Sequence, residues 1–402
     1  MRENSWLQSA TPAFRLMIAT SWLAPASWQE HQEKAIREAI GAGVDWMEYL
    51  CLVDRHRTPA LSWAALKRVP GLEIPEPTRR EMQKRSDASR MQAVRHSMML
   101  AEVLRGFNRA GIPVMTLKGP LLSLKLYGDV GLRQSKDLDL EVTLEDLPRA
   151  QARLEKMSWR LESAWSSLTP RQWEACLRHE HHIGFVHSNG GLFLELHWRS
   201  QWEKTGETAA KWARSIPSEW QGCSYLATNS VDLLRYLCSH GGIHAWFRAK
   251  WLGDLARICG GGLVDWEAVL NEARRTGQDR AVLASLYLLD QVYELPLPSL
   301  RGNPWKDLPS MLIELPLHDL RVPEEAPKSA SLASLRNGLR ASRYQILLTP
   351  QKTWRESLPQ LFYRREDFRI IRLPDSVYWA YMPLRPILWF WRRVLRGRPA
   401  DR

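Results

Sequence analysis

The stretch 115–142, reading MTLKGPLLSLKLYGDVGLRQSKDLDLEV, constrains this chain more than any other. It passes from a short apolar run into Lys118-Gly119, through a helical segment to Tyr127, into a glycine-punctuated loop carrying Arg133, and then into Asp137-Leu138-Asp139-Leu140. Side chains alternate faces along a β-strand. Asp137 and Asp139 therefore share one side, about 6 to 7 Å apart, while Leu138, Leu140 and Val142 point into a core. Two carboxylates on one wet face are how a strand offers oxygen ligands to Mg²⁺, which completes its shell with water and substrate phosphates. A two-metal phosphoryl or nucleotidyl transfer site needs such a pair and a third carboxylate nearby.

Glu195 is the candidate for the third. It lies in HHIGFVHSNGGLFLELHW, two apolar segments joined by Ser188-Asn189-Gly190-Gly191, the pattern of a β-hairpin with a glycine-rich turn. On its second strand Leu192, Leu194, Leu196 and Trp198 form one face and Phe193, Glu195 and His197 the other. An acidic side chain inside an apolar strand is costly unless something pairs with it, and a metal shared with Asp137 and Asp139 supplies that partner. His179, Glu180, His181 and His182 precede the hairpin, but HEHH lacks the HExxH spacing that puts two histidines on one helical face. The expected task of this cluster is to position the Glu195 strand or touch substrate rather than to bind zinc. His197 orients a carboxylate, contacts the nucleotide or is a structural histidine; the pattern leaves these open.

At these residues the chain resembles a nucleotidyltransferase of the polymerase-β superfamily, and more closely the bacterial family of uncharacterised nucleotidyltransferases. The resemblance is carried by LKG at 117–119, LYGD at 126–129, Arg133, DLDL at 137–140, His181-His182 and ELHW at 195–198, and it extends to Ser239-His240 and WLGDLARI at 251–258. It covers roughly residues 90 to 260 and implies an α/β (α+β, helix-dominated) fold: a small mixed β-sheet core with helical regions before and after it. It also implies that Gly119 marks a turn where a helix begins near a triphosphate, in agreement with the unpaired N–H groups that a helix N-terminus offers to an anion. Three positions depart from the superfamily pattern: Pro120 follows the glycine where Gly or Ser is usual, Lys136 replaces a small residue before the DxD, and Glu141 interrupts the apolar strand. All three carboxylates are present.

The flanks are helical by pattern. Residues 1–85 read as an N-terminal helical region with no chemistry, in which Ser27 caps a helix opened at Trp28 with Glu30 as its capping-box partner. A long helix from Thr78 to about Ala110 follows, its Met91, Val94, Met98, Ala101 and Leu104 spaced as a buried stripe. The catalytic core is expected over 86–225, a helical domain over 226–320, and a basic, aromatic segment over 321–402. In the helical domain Asp254 is expected to cap or bridge helices, and His240 is open between a core histidine and a site residue. The last segment contains PLRPILWFWRRVLRGRP, where Trp389, Phe390 and Trp391 stand beside Arg392, Arg393 and Arg396. It can rest on a membrane interface, grip an RNA backbone or dock on the protein's own core.

Charge and cysteine content limit the surroundings. A net charge of +12 favours polyanionic ligands such as nucleotides, RNA or an anionic membrane surface. Five scattered cysteines with no CxxC spacing indicate neither a disulfide framework nor a zinc ribbon, which fits a reducing cytoplasm. The apolar segment 16–24 suits an amphipathic helix better than a signal peptide, and no run reaches the roughly 18 apolar residues of a membrane span.

The functional expectation is a Mg²⁺- or Mn²⁺-dependent nucleotidyltransferase that moves NMP from an NTP, with ATP as the expected donor, to an acceptor and releases pyrophosphate. Asp137, Asp139 and Glu195 are the metal ligands and catalytic residues. Lys118, the Gly119 amide and Arg133 are the phosphate contacts, Arg133 because its planar fork matches phosphate oxygens. The acceptor is open among a small molecule, a modified peptide or protein, and RNA, and the oligomeric state is open. The alternative is a non-catalytic nucleotide- or RNA-binding regulatory protein on the same scaffold.

Overall fold

A computed structural model of the chain describes residues 5–201, 203, 205–262, 264–296, 298, 300, 305–322, 332–349 and 365–391. At its centre is a mixed sheet of seven strands: β1 (Met115–Thr116), β2 (Asp137–Glu141), β3 (Trp159–Leu161), β4 (His182–His187), β5 (Phe193–His197), β6 (Ile216–Trp220) and β7 (Cys223–Ala227). Their order across the sheet is β3-β4-β5-β2-β1-β7-β6. β2 with β5 and β1 with β7 are parallel pairs, and the other four pairs are antiparallel. Helices dominate the rest, as expected from the sequence.

Each strand of the central pair is buried on one side by strict alternation. Leu138 and Leu140 of β2 and Leu194 and Leu196 of β5 share one apolar cluster with Leu100, Val103, Leu104 and Phe107 of the long helix Glu76–Arg109. Each buried Leu or Phe is worth roughly 1.5–3 kcal/mol, so this packing decides which face of the sheet carries the carboxylates. On the same helix Met91, Val94 and Met98, expected in a buried stripe, are exposed. Their spacing is helical, but the face that docks on the sheet is the one holding Leu100, Val103, Leu104 and Phe107. The hairpin β6–β7, which the pattern did not suggest, adds an edge through a Gln221-Gly222 turn with positive φ at both residues.

A second apolar cluster joins the helices of the N-terminal region to those of 226–320. Leu16, Trp22, Tyr49 and Leu61 belong to it, together with Leu234, Leu252, Leu255 and Leu289. Local rules hold in several caps: Asp45 accepts from Met47 and Glu48 at the start of Trp46–His56, and Asn229 accepts from Asp232 at the start of Ser230–Ile243. Ser27 is a correction. Its hydroxyl donates to the Gly260 carbonyl at 2.9 Å, and the helix Gln29–Gly41 begins after a 3₁₀ turn without a side-chain cap. Near the C-terminus, Phe368, Tyr381 and Leu388 pack into the sheet's cluster, so the described part of the basic aromatic segment docks on the core. Arg392, Arg393 and Arg396 lie outside the described residues. No helix among the described residues is long and apolar enough to cross a membrane.

Candidate active site

The parallel register of β2 and β5 sets Asp139 beside Glu195, and Asp137 beside Phe193. Partners in register present their side chains on the same face, so Asp139 and Glu195 meet because Leu140 and Leu196 are buried on the other. His197, two residues beyond Glu195, joins them. One ligand atom from each of Asp139, Glu195 and His197 lies within 4.8 Å of the others. Asp137 is one alternation away along β2 and outside this tight group.

Asp139 is buried, and its Oδ1 has no aligned hydrogen-bond partner. Lys118 Nζ stands 2.9 Å from that oxygen and His197 Nε2 3.6 Å, as contacts of charge. Burial pushes the Asp139 carboxyl up, but Lys118 and His197 outweigh it and hold Asp139 below the usual range. Glu195 behaves similarly: burial raises it, while His182, His197 and Lys118 hold it well below the usual range. His197 responds in the opposite sense. Burial disfavours its charge, yet Asp139 and Glu195 raise it to about 9. Asp137 is pushed up to about 6 by burial and by the charges of Asp139 and Glu195.

A buried carboxylate beside a second carboxylate is an arrangement that a divalent cation can complete, here alongside the Lys118 ammonium. Asp139 and Glu195 supply oxygens that suit Mg²⁺ or Mn²⁺, with Asp137 near enough to interact with both carboxylates electrostatically. The residues present fit such an ion.

Gly119 shapes the approach from β1. Its φ of 80° and ψ of −148° suit only glycine, and a Cβ there would stand 4.0 Å from the Asp137 carbonyl oxygen. The helix Pro120–Tyr127 starts immediately after, with Pro120 in its first turn where no N–H is needed. Lys118, just before, points inward rather than to solvent: its Nζ also lies 3.5 Å from His240 Nε2 and 5.8 Å from the Tyr236 ring centre.

Arg133, expected to meet phosphate oxygens with its planar fork, has part of that fork engaged by the protein itself. It is buried, with Nε donating to Asp254 Oδ2 at 2.7 Å and Nη1 to Ser135 Oγ at 3.2 Å. Its charge reaches Asp139 through space. Asp254, on the helix Ala249–Gly261, thus bridges that helix to the loop before β2.

Two cations were not anticipated. Lys250 is buried, donates to the Gln134 carbonyl at 3.0 Å and interacts with Asp137 through space. Burial next to Arg133 and Arg57 pushes its ammonium well below the usual lysine range. Arg57 also acts on Asp137, from the left-handed residue that ends Trp46–His56. Arg57, in the N-terminal region, thus stands within electrostatic reach of Asp137. Only packing across the helical layer brings these residues together; their spacing in the chain carried no signal.

Glu141 continues the acidic stripe of β2 beyond Asp139 but belongs to a structural network. Lys211 Nζ bonds Glu141 Oε2 and Glu203 Oε2, each at 2.7 Å, and Trp212 Nε1 donates to Glu141 Oε1 at 2.8 Å. The strand tolerates this third acid because Lys211 neutralises it.

The family described as uncharacterised nucleotidyltransferase has a model that matches residues 42–294, more than half of the chain, including Arg57, the sheet and Lys250. No curated protein and no solved structure matches the chain.

Proposed function

The chain belongs to this nucleotidyltransferase family, and from that premise we propose that it moves NMP from an NTP, ATP first among them, to an acceptor hydroxyl with loss of pyrophosphate, using Mg²⁺ or Mn²⁺. The observation that carries the reading is the pairing of Asp139 with Glu195 across β2 and β5, with a ligand atom of each and one of His197 within 4.8 Å of one another. Asp137, Asp139 and Glu195 hold the ion in this reading. When bound, a divalent cation there would offset the charge that develops on the phosphate oxygens.

The chain's own groups do the rest. Lys118 and the Gly119 amide take the β- and γ-phosphates at the start of the Pro120–Tyr127 helix, where fixed positive charge stabilises the departing pyrophosphate. Arg57 adds positive charge on the Asp137 side, where Lys250, its ammonium disfavoured by burial, donates to the Gln134 carbonyl. Arg133, locked to Asp254, contributes charge from beneath the carboxylates and keeps their loop in place. Glu195 is one-third exposed where Asp139 is buried, so it is the carboxylate an incoming hydroxyl meets and the one that takes its proton. The acceptor oxygen bonds to the α-phosphorus as the α–β anhydride bond breaks.

The test uses each of the four NTPs labelled on the α-phosphate, with Mg²⁺ or Mn²⁺ and a cell extract as the source of acceptor. Transfer of label by the native protein and not by Asp137→Asn/Asp139→Asn is expected, and the product's sensitivity to nuclease or protease identifies the acceptor class. Equal labelling by both proteins, or no metal-dependent NTP binding by the native one, overturns the reading.

A further inference from the structure

Next to the carboxylates, and sharing His197 with them, stands a second set of ligand atoms. His181 and His182 come from the entry to β4, and the antiparallel register sets His182 opposite His197 of β5. Ring nitrogens of His181, His182 and His197, one from each, lie within 4.8 Å of one another. The ring centres are 4.5 Å apart for His181 and His182, 5.0 Å for His182 and His197, and 5.7 Å for His181 and His197.

Ring packing alone does not account for this arrangement. His182 Nδ1 and His197 Nδ1 are buried without an aligned hydrogen-bond partner, while His197 Nε2 faces Glu195 and Asp139 at 3.3 and 3.6 Å. Leaving a buried polar nitrogen unpartnered costs about 1–3 kcal/mol, and an ion bound by the cluster offsets that cost. The donors of a tetrahedral ion bonded at about 2.0–2.1 Å stand roughly 3.3 Å apart, so modest ring rotations bring these nitrogens to ligating distance. Glu195 borders the cluster, with Oε1 3.9 Å from His182 Nε2 and Oε2 3.3 Å from His197 Nε2. A carboxylate facing ligating imidazoles in this way orients the rings and fixes which nitrogen is free to bind.

We propose that His181, His182 and His197 form a site for a divalent first-row transition ion of the Zn²⁺ type, separate in ligand chemistry from the oxygen site of Asp137, Asp139 and Glu195. Imidazole donors select Zn²⁺ and its neighbours, whereas Mg²⁺ requires oxygens. His197 stands between the two sets, so the hardness of the ion decides which it occupies. The sequence pattern concealed this site, since two adjacent histidines at a strand entry match no metal-binding spacing until the hairpin adds the third.

Co²⁺ stands in for Zn²⁺ and reports nitrogen-rich tetrahedral coordination by visible d–d absorption, so the full-length protein is titrated with Co²⁺ in the absence of nucleotide. The bands are expected to appear, to be bleached by Zn²⁺ and to persist in excess Mg²⁺. His181→Gln/His182→Gln, verified as folded by circular dichroism, is expected to lose the bands and to bind Zn²⁺ at least about tenfold more weakly, while Asp137→Asn keeps them. Absence of the bands from the native protein overturns the proposal without reference to any variant. So does a spectrum that survives loss of both histidines but not of Asp137, which assigns the ion to the carboxylates. Because no nucleotide is present, either result is separate from the fate of the nucleotidyl-transfer reading.

Discussion

Arg133 Nε donates to Asp254 Oδ2 at 2.7 Å with both side chains buried, tying the loop that feeds β2 to the helix Ala249–Gly261. Tyr127 Oη reaches the other Asp254 oxygen at 3.4 Å, so the helix after Gly119 is held at the same point. The elements that deliver the acidic strand and the phosphate turn thus share one anchor. Removing one member of such a pair leaves a buried charge without compensation.

Asp254→Ala is therefore expected to lower the unfolding free energy by about 3–5 kcal/mol, read from urea melts at fixed pH. A loss below about 1 kcal/mol would show that Arg133 finds another partner and that the pair is not the anchor described.

Asp139→Asn and Glu195→Gln are expected to lower the melting temperature of the metal-free protein, because each takes a counter-charge from buried Lys118 or His197. Both should weaken Mn²⁺ binding by about 100-fold or more, a ligand mattering at least as much as the groups that support it. Calorimetric titration in the absence of nucleotide reads the affinity directly; unchanged affinity in either variant removes that residue from the ion's shell.

The metal-free protein should lose stability between about pH 6.5 and 9 through His197. Its folded pKa, raised to about 9, lies above the ordinary value, so the proton it holds contributes stability that is fully present below the ordinary pKa and fades as pH rises through the folded one. The difference in melting temperature between the native protein and His197→Gln should accordingly shrink from pH 6.5 to pH 9. A constant difference across that range would mean that Asp139 and Glu195 do not hold the proton on this ring.

Lys211 is buried between Glu141 and Glu203, 2.7 Å from each. Lys211→Ala should cost about 3–5 kcal/mol at pH 8. The deficit should shrink toward pH 5, since protonation relieves the negative charge that Glu141 and Glu203 share once Lys211 is gone, Glu203 keeping Arg235 at 2.7 Å. A deficit independent of pH would attribute the loss to packing.

Strand periodicity and turn chemistry made much of the site legible. Alternation put Asp137 and Asp139 on one face, and the Asn189-Gly190-Gly191 turn announced the hairpin that carries Glu195. Helical spacing was a poorer guide to burial: Met91, Val94 and Met98 recur at the right intervals, yet they face outward because the sheet meets another side of the same helix. Arg133 shows a similar limit. Its chemistry suits phosphate, but whether a guanidinium faces a cleft or a buried Asp254, 121 residues away, depends on which helix packs over it.

The sequence by itself determined that this chain has a carboxylate-bearing strand, a glycine turn leading into a helix and a hairpin with a third acid, because those features depend on backbone geometry over a few residues. Only the tertiary structure decided that Asp139 pairs with Glu195, that Arg57 and Lys250 act on Asp137, that Arg133 is spent on Asp254, and that three histidines converge. Each of these is set by strand register or by the packing of distant helices. Those depend on the apolar area buried by the whole molecule, which no short stretch of sequence encodes.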